Sequence, residues 1–266
     1  MSEPDVRLER LFEVPDGAGI ELPPEIEAAH GGGFALPERV VYANFVSSID
    51  GVAAIEGIER SSSVISGAAA ADRFVMALLR SVADAVLIGS ATLREHGGPW
   101  TAERAFPAAA EAFARVRDGR PAPTLAVVTG SGDLPTDVPA LADAVVITTA
   151  SGAERITASG VRAGEVVDAG SGDRVDPPTA VDLLRERGNE RILTEGGPSL
   201  MGSMLRAGVV DELFLTVSPA LLGGGPGRPP LTGAVDLLDR DAGARLIGVR
   251  RAADHLFLRY AIRAGT

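Results

Sequence analysis

Several stretches of this chain carry residue types that can do chemistry. The most informative reads Arg191-Ile-Leu-Thr-Glu195-Gly196-Gly197-Pro198-Ser199-Leu200-Met201. It predicts an apolar strand, two glycines, and a helix with proline at its first position. Such a start leaves the N–H groups of Gly197, Ser199 and Leu200 without intrahelical partners, in a field that favours an anion. The two glycines let a pyrophosphate approach the backbone closely. A tight strand-to-helix turn with no ligand fits the same residues.

Two further stretches share this layout. Val86-Leu87-Ile88 runs into Gly89-Ser90-Ala91-Thr92-Leu93-Arg94, and Val127-Val128-Thr129-Gly130-Ser131-Gly132 repeats the theme. Each sets hydroxyls and glycine just beyond a strand, where open α/β sheets bind ligands. Together the three suit a dinucleotide, whose pyrophosphate and 2′-phosphate need separate donors. The GxGxxG fingerprint is absent, so the site belongs to another fold. Gly223-Gly224-Gly225-Pro226-Gly227 lacks a strand before and a helix after it and reads as a loop.

The acid–base candidate is Asp50, in Asn44-Phe-Val-Ser47-Ser48-Ile49-Asp50-Gly51. A carboxylate just past an inner strand is expected to be partly desolvated, with its pKa raised toward a useful range. The competing reading is an Asp-Gly turn. Asp72 and Arg73 read as a solvated face or a cap. Arg73 and Arg80 lie two helical turns apart, within reach of a substrate anion. His96, in a glycine-flanked loop, is either a substrate contact or merely exposed; Trp100 and Phe106 either shield a pocket or pack.

Composition narrows the chemistry. The chain has 266 residues, a formal net charge of -11, 45% hydrophobic residues and no cysteine. Disulfides, thiolate nucleophiles and thiolate metal sites are therefore excluded. All 25 basic residues are arginine, which excludes Schiff-base catalysis and a P-loop. His30, His96 and His255 show no metal-ligand spacing, so no metal is expected. The acidic balance argues against nucleic acid and anionic membranes as partners. Met1 to Arg10 has no apolar core of a signal peptide, and no apolar run approaches the ~18 residues of a spanning helix. The chain reads as soluble and cytoplasmic.

The elements that must position these residues alternate. Residues 1–38 form an acidic, proline-bearing N-terminal extension (Pro15, Pro23, Pro24, Pro37) with a short helix near Glu25 to Ala29 and Gly31-Gly32-Gly33 as a flexible joint. Residues 39–266 form one domain. Strands are expected at Val40–Val46, Ala85–Ile88, Leu125–Val128, Val145–Thr148, Glu165–Val167, Arg191–Thr194 and Leu213–Val217. Helices are expected from Ser66, as cap, through Val82, over Ala102–Arg117 with a break at Pro107, and over Pro178–Arg187 and Ser199–Arg206. Gly223–Pro230 reads as a mobile loop. Arg245–Arg250 and Leu256–Arg263 close the chain as an antiparallel hairpin. This is an α/β pattern with a mostly parallel central sheet covered on both faces.

The residues converge on a family. Ser48-Ile49-Asp50-Gly51, Ile65-Ser66-Gly67, Asp84-Ala85-Val86 through Gly89-Ser-Ala-Thr-Leu93, Thr194-Glu195-Gly196-Gly197-Pro198-Ser199-Leu200 and Val210-Asp211-Glu212-Leu213 occur in this order. From about Val40 to Arg263 the chain resembles the reductase domain of the riboflavin pathway's bifunctional deaminase–reductase, in a stand-alone branch. The resemblance implies a three-layer dihydrofolate-reductase-like fold and an NADPH-dependent homodimer. The implied reaction is reduction of 5-amino-6-(5-phosphoribosylamino)uracil, with hydride passing from nicotinamide C4 to the ribosyl C1′. Gly89, Ser90, Thr92, Glu195, Gly196, Gly197, Ser199 and Leu200 match cofactor positions, with Ser131 at the strand that meets the 2′-phosphate. Asp50 matches the acidic residue beside the substrate, with Asn44, Ser48, Ser66 and Arg73 as further substrate contacts. The deaminase zinc signature is absent from these residues, since it requires cysteine.

One departure stands out. Where the family carries Asp-Asp-Pro…Leu-Thr-x-Arg, this chain reads Arg94-Glu-His-Gly-Gly-Pro-Trp100. The cofactor half is kept while the substrate half is rewritten. Two alternatives therefore stay open: reduction of a dihydrofolate or dihydropteridine, and a non-catalytic NADP-binding protein.

Overall fold

A computed structural model describes residues 6–14, 17–239 and 243–262. Pro15, Arg263 and the His96 side chain, all used above, lie outside the described residues. The N-terminal part contains β1 (Glu9–Glu13), β2 (Ala18–Ile20), α1 (Pro24–His30) and β3 (Phe34–Leu36). Then come β4 (Val40–Ser48), α2 (Ser61–Ile65), α3 (Ala70–Val82), β5 (Ala85–Gly89), α4 (Ser90–His96), α5 (Ala102–Ala105) and α6 (Ala110–Arg117). The middle holds β6 (Thr124–Val128), β7 (Val145–Thr148), α7 (Ala150–Ser159), β8 (Glu165–Asp168) and a small hairpin, β9 (Gly170–Ser171) with β10 (Arg174–Val175). The chain ends with α8 (Pro177–Glu186), β11 (Arg191–Thr194), α9 (Pro198–Ala207), β12 (Glu212–Ser218), β13 (Ala244–Ala252) and β14 (His255–Ile262).

One ten-stranded sheet organises these elements in the order β1-β13-β14-β12-β4-β11-β5-β6-β7-β8. From β12 to β8 every pairing is parallel, while β14, β13 and β1 join antiparallel. The expected α/β class, parallel centre and closing hairpin are all present. Strand β4 shows why both faces are covered. Its side chains alternate, so Val40 and Tyr42 enter one core with Phe74, Leu78 and Phe113, and Val41 and Ala43 enter the other with Leu184, Met201 and Met204. Parallel strands aligned in this way put all their C-terminal ends on one edge.

The described residues before β4 are part of this frame. Strand β1 pairs with β13, and Leu8, Ile26, Phe34 and Leu36 enter the first core. Gly31 is not a flexible joint. It takes a left-handed φ of 78° to close α1, and a side chain there would strike the Leu8 carbonyl.

The helix expected from Ser66 to Val82 begins only at Ala70, as α3, and a separate short helix, α2, precedes it. Gly67 and Ala68 have positive φ, which breaks the helix, so Ser66 ends α2 rather than capping α3. Pro107 does divide Ala102–Arg117, leaving a 3₁₀ turn at Pro107–Ala109 between α5 and α6. The stretch Gly223–Pro230 is a loop tied at several points, with Ala53 and Glu56 donating backbone hydrogen bonds to the Pro229 and Gly227 carbonyls.

Candidate active site

A cleft of about 970 Å³ runs along the C-terminal ends of β4, β11, β5 and β6. This is the edge on which open α/β sheets place ligands. Its two ends are built differently.

One end is backbone and hydroxyl. It is lined by Gly89, Ser90, Thr92, Ser131, Glu195, Gly196, Gly197, Ser199 and Leu200, so the structure gathers every residue expected at the cofactor. Helix α9 opens with Gly197 as its cap residue, Pro198 at the first turn, and no side chain bonded to its first N–H groups. Those donors face the cleft with the positive end of the helix dipole behind them. The two glycines have separate reasons. A Cβ on Gly196 would lie 2.5 Å from Leu200 Cδ2, whereas on Gly197 it would meet only Thr92 Oγ1, at 3.7 Å across the cleft. Gly196 therefore serves packing, and Gly197 keeps open the space beside the free amides. Helix α4 starts directly after β5, takes in the position of His96 that was expected in a loop, and carries Ser90 and Thr92 to the facing wall. Beyond it, Ser131, Gly130 and Arg174 of the β9–β10 hairpin line the far extremity.

The other end is built from side chains. Asn44, Asp72, Met76, Arg80, Glu95 and Trp100 line it. Arg80 is not free to meet a substrate anion. Its guanidinium grips Glu195, with Nη2–Oε2 at 2.5 Å and Nε 3.1 Å from both oxygens, and both side chains are under one-tenth exposed. Glu195 thus belongs by position to the turn expected to hold the cofactor, while its carboxylate is held by Arg80. Asp72 was read from sequence as a cap or a solvated face; it is 7% exposed and lines the cleft. Burial pushes its carboxyl above the usual range, and hydrogen bonds from Thr216 and Ser66 act against that. Burial also raises the Glu95 carboxyl. Trp100 shields the cleft, whereas Phe106 packs against Phe74 and Phe113.

Four expected substrate-side residues do not line the cleft. Asp50 lacks the desolvated setting that would raise its pKa. It sits on an exposed turn, accepting from Ser48 Oγ at 2.5 Å, Gly223 N at 2.6 Å and Leu222 N at 3.0 Å. The Ser48 hydroxyl first, then the Gly223 amide, hold its carboxyl below the ordinary value. Asp50 and Ser48 together staple the 222–230 loop, whose Pro229 forms part of the cleft rim. Ser66 stands behind Asp72 as a hydrogen-bonding support. Arg73 turns its guanidinium to the Ala68 carbonyl, 2.7 Å away. Asn44 is the one expected substrate contact that lines the cleft. Asp72 was missed because its burial comes from β12, far away in sequence; its third position in a helix signalled only a cap.

The fold defines the class first: this is a three-layer α/β domain that shares its fold with a pyrimidine reductase-like protein. A crystal structure of such a protein from Corynebacterium diphtheriae superposes with a TM-score of 0.66 at 24% identity, covering 90% of this chain and 98% of that one. Acinetobacter baumannii RibD matches with a TM-score of 0.60 at 18% identity over 85% of this chain and 58% of that one.

The chain itself belongs to the RibD C-terminal domain family, whose model matches residues 39–253. Riboflavin biosynthesis protein RibD of Mycobacterium tuberculosis is 32% identical over 182 residues, 68% of this chain and 42% of that protein. A 2,5-diamino-6-ribosylamino-4(3H)-pyrimidinone 5′-phosphate reductase of Methanothermobacter thermautotrophicus is 33% identical over 102 residues, 37% of this chain and 46% of that protein. The chain thus spans less than half the length of these curated relatives. Among the described residues, no helix is long and apolar enough to cross a membrane.

Proposed function

We propose that this chain is an NADPH-dependent reductase of the riboflavin type, acting on a phosphoribosylaminopyrimidine. One observation carries the reading: the uncapped start of α9 and the open face of Gly197 look across a single cleft at Thr92 of α4. A cradle with free amides and no side chain in the way suits a diphosphate approached by backbone. Gly196, Gly197, Ser199 and Leu200 hold the diphosphate there, Gly89, Ser90 and Thr92 form the opposite wall, and Ser131 meets the 2′-phosphate that distinguishes NADPH from NADH. Bound NADPH supplies the reducing equivalent. The chain's residues orient the partners: Arg80 fixes Glu195 at the junction of the two ends, and Trp100 and Met76 exclude water beside it. Asp50 keeps the rim loop in place, one step removed from substrate.

A second reading, reduction of a dihydropteridine, is supported by the charge of the substrate end. Its lining includes Asp72, Glu95 and Glu56, and Arg80, a cation of that end, is engaged by Glu195. A substrate without a phosphate ester suits such a lining. The sequence resemblance adds a cytoplasmic homodimer, which sedimentation at working concentration would test. Fluorescence titration with NADPH, then oxidation followed at 340 nm with each substrate, tests the whole reading. Turnover of a phosphoribosylaminopyrimidine supports the first reading, and turnover of dihydropteridine alone supports the second. Tight NADPH binding with no turnover leaves a non-catalytic NADP-binding protein.

A further inference from the structure

At its far extremity the cofactor end carries a charged side chain on a tightly built platform. The turn after β6 is pinned by its neighbours: Thr148 Oγ1 donates to the Thr129 carbonyl at 2.6 Å, Thr149 Oγ1 to the Gly130 carbonyl at 2.9 Å, and the Gly132 amide to Thr129 Oγ1 at 3.1 Å. The β9–β10 hairpin lies directly on this turn. A side chain on Gly130 would strike the Asp173 carbonyl, and its Cβ would stand 3.7 Å from the Arg174 Cα. Gly130 therefore lets the hairpin close down, and Arg174 and Ser131 share one end of the cleft. Ser131 Oγ accepts from the Asp133 amide at 3.2 Å, which leaves its own proton to be donated outward.

Two arginines line the cleft among the described residues, and they differ in commitment. Arg80 is sealed against Glu195. Arg174 is almost fully exposed and meets a carboxylate only at Asp173, 4.0 Å away, a surface pair that holds it weakly. Its guanidinium offers a planar fork of donors that matches the oxygens of a phosphate. Dinucleotide sites separate by this chemistry: a carboxylate takes the 2′-hydroxyl of NADH, and an arginine takes the 2′-phosphate of NADPH. Asp173 and Arg174 thus make opposite demands from adjacent positions. The outward donor of Ser131 sides with Arg174, since the two together surround a phosphate with hydrogen-bond donors.

We infer that Arg174 is the residue that selects NADPH over NADH, closing on the 2′-phosphate from the hairpin while the Ser131 hydroxyl meets it from the turn. This rests on the reductase reading of the cleft and supplies the cation that a dianionic phosphate needs there. Thr148 and Thr149 are positioning residues, which fix the turn that carries Ser131. The cradle at Gly197 and this platform address different phosphates of one coenzyme, so their contributions separate: the first serves NADPH and NADH alike, and the second serves NADPH alone.

Fluorescence titration with NADPH and NADH, and calorimetric titration with adenosine 2′,5′-bisphosphate and 5′-AMP, test it, each pair differing by the 2′-phosphate. The wild-type protein is expected to prefer the 2′-phosphorylated member on the order of ten- to a hundred-fold, the span of one or two hydrogen bonds to a charged group. Arg174→Ala should bring NADPH down to the affinity of NADH, leave NADH unchanged and keep Tm at the wild-type value, since the side chain is exposed. Arg174→Lys should keep part of the preference, as a point charge without the fork. Equal wild-type affinities within each pair overturn the inference, and so does a preference that survives Arg174→Ala. Weakening of NADPH and NADH alike in that variant also overturns it, by making Arg174 a support of the hairpin. Equal, measurable binding of both dinucleotides leaves the reductase reading standing. Failure of both dinucleotides to bind defeats that reading, and the fragment pair then decides the role of Arg174, with absence of any binding overturning both.

Discussion

The two ends of the cleft share a sheet edge and differ in material. At the cofactor end, the groups that count are backbone amides, glycines and short hydroxyls, placed by strand-to-helix turns a few residues long. At the substrate end they are long or charged side chains brought from β4, α3, α4 and the β11 turn, each depending on partners elsewhere. The first kind of site is set by local backbone geometry. The second is set by who is buried beside whom, and it can be rewritten by single substitutions without disturbing the frame. A family can therefore keep its cofactor while changing its substrate.

Single substitutions should separate the ends. The largest effect is expected from Arg80→Ala, which leaves the Glu195 carboxylate buried without its partner. Breaking such a pair costs about 3–5 kcal/mol, to be read as a lower denaturation midpoint in urea, and it should impair both ends because Glu195 joins them.

Acid should act on the whole frame. His30 is neutral in the fold, its pKa lowered to about 4 by burial and then by Arg250, with Nδ1 2.8 Å from the Gly32 carbonyl. Above pH 6.5 neither folded nor unfolded chain protonates it. As pH falls from there toward 4 only the unfolded chain takes the proton, so stability should drop by about 3 kcal/mol. Denaturation curves at pH 7 and pH 4.5 for wild type and His30→Gln check this. A wild-type slope no steeper than the variant's would refute it.

Gly197→Val should weaken NADPH on the order of a hundred-fold, equivalent to losing one or two charge-assisted hydrogen bonds. Because its Cβ meets only Thr92 Oγ1, at 3.7 Å, Tm should stay close to wild type. Unchanged NADPH affinity would remove the cradle from the site. The smallest effect belongs to Asp50→Asn. It loosens the loop at Leu222 and Gly223, so turnover should fall only a few-fold, with NADPH affinity intact. The Asp50 carboxyl is held below its ordinary pKa, so its contribution is present at neutral pH and disappears as pH falls through the folded value. A loss of turnover as large as that of a reacting group would restore Asp50 to the chemistry.

The same division explains what could be read in advance. The parallel centre, the closing hairpin and the strand-to-helix turn at Glu195–Leu200 all follow from periodicity and punctuation within short windows. The setting of Asp50 is not legible in sequence, because an Asp-Gly after a strand says nothing of what lies opposite. Here the 222–230 loop, more than 170 residues later, offers it two amides and leaves it in solvent. Ser66 reads as a cap because Gly67 and Ala68 do not announce their left-handed backbone in composition alone. The β9–β10 hairpin is too short to show a period.

By itself the order of residues determined which strands run parallel, where their ends lie, and which amides are left open, since each depends on neighbours within one or two turns of chain. It also removed lysine and cysteine chemistry outright. Only tertiary structure decided the ionic state of the cleft: which arginine is already engaged, which carboxylate is exposed on a turn, and which is sealed behind β12. Desolvation and charge pairing are properties of distances between segments remote in sequence, and a linear string records neither.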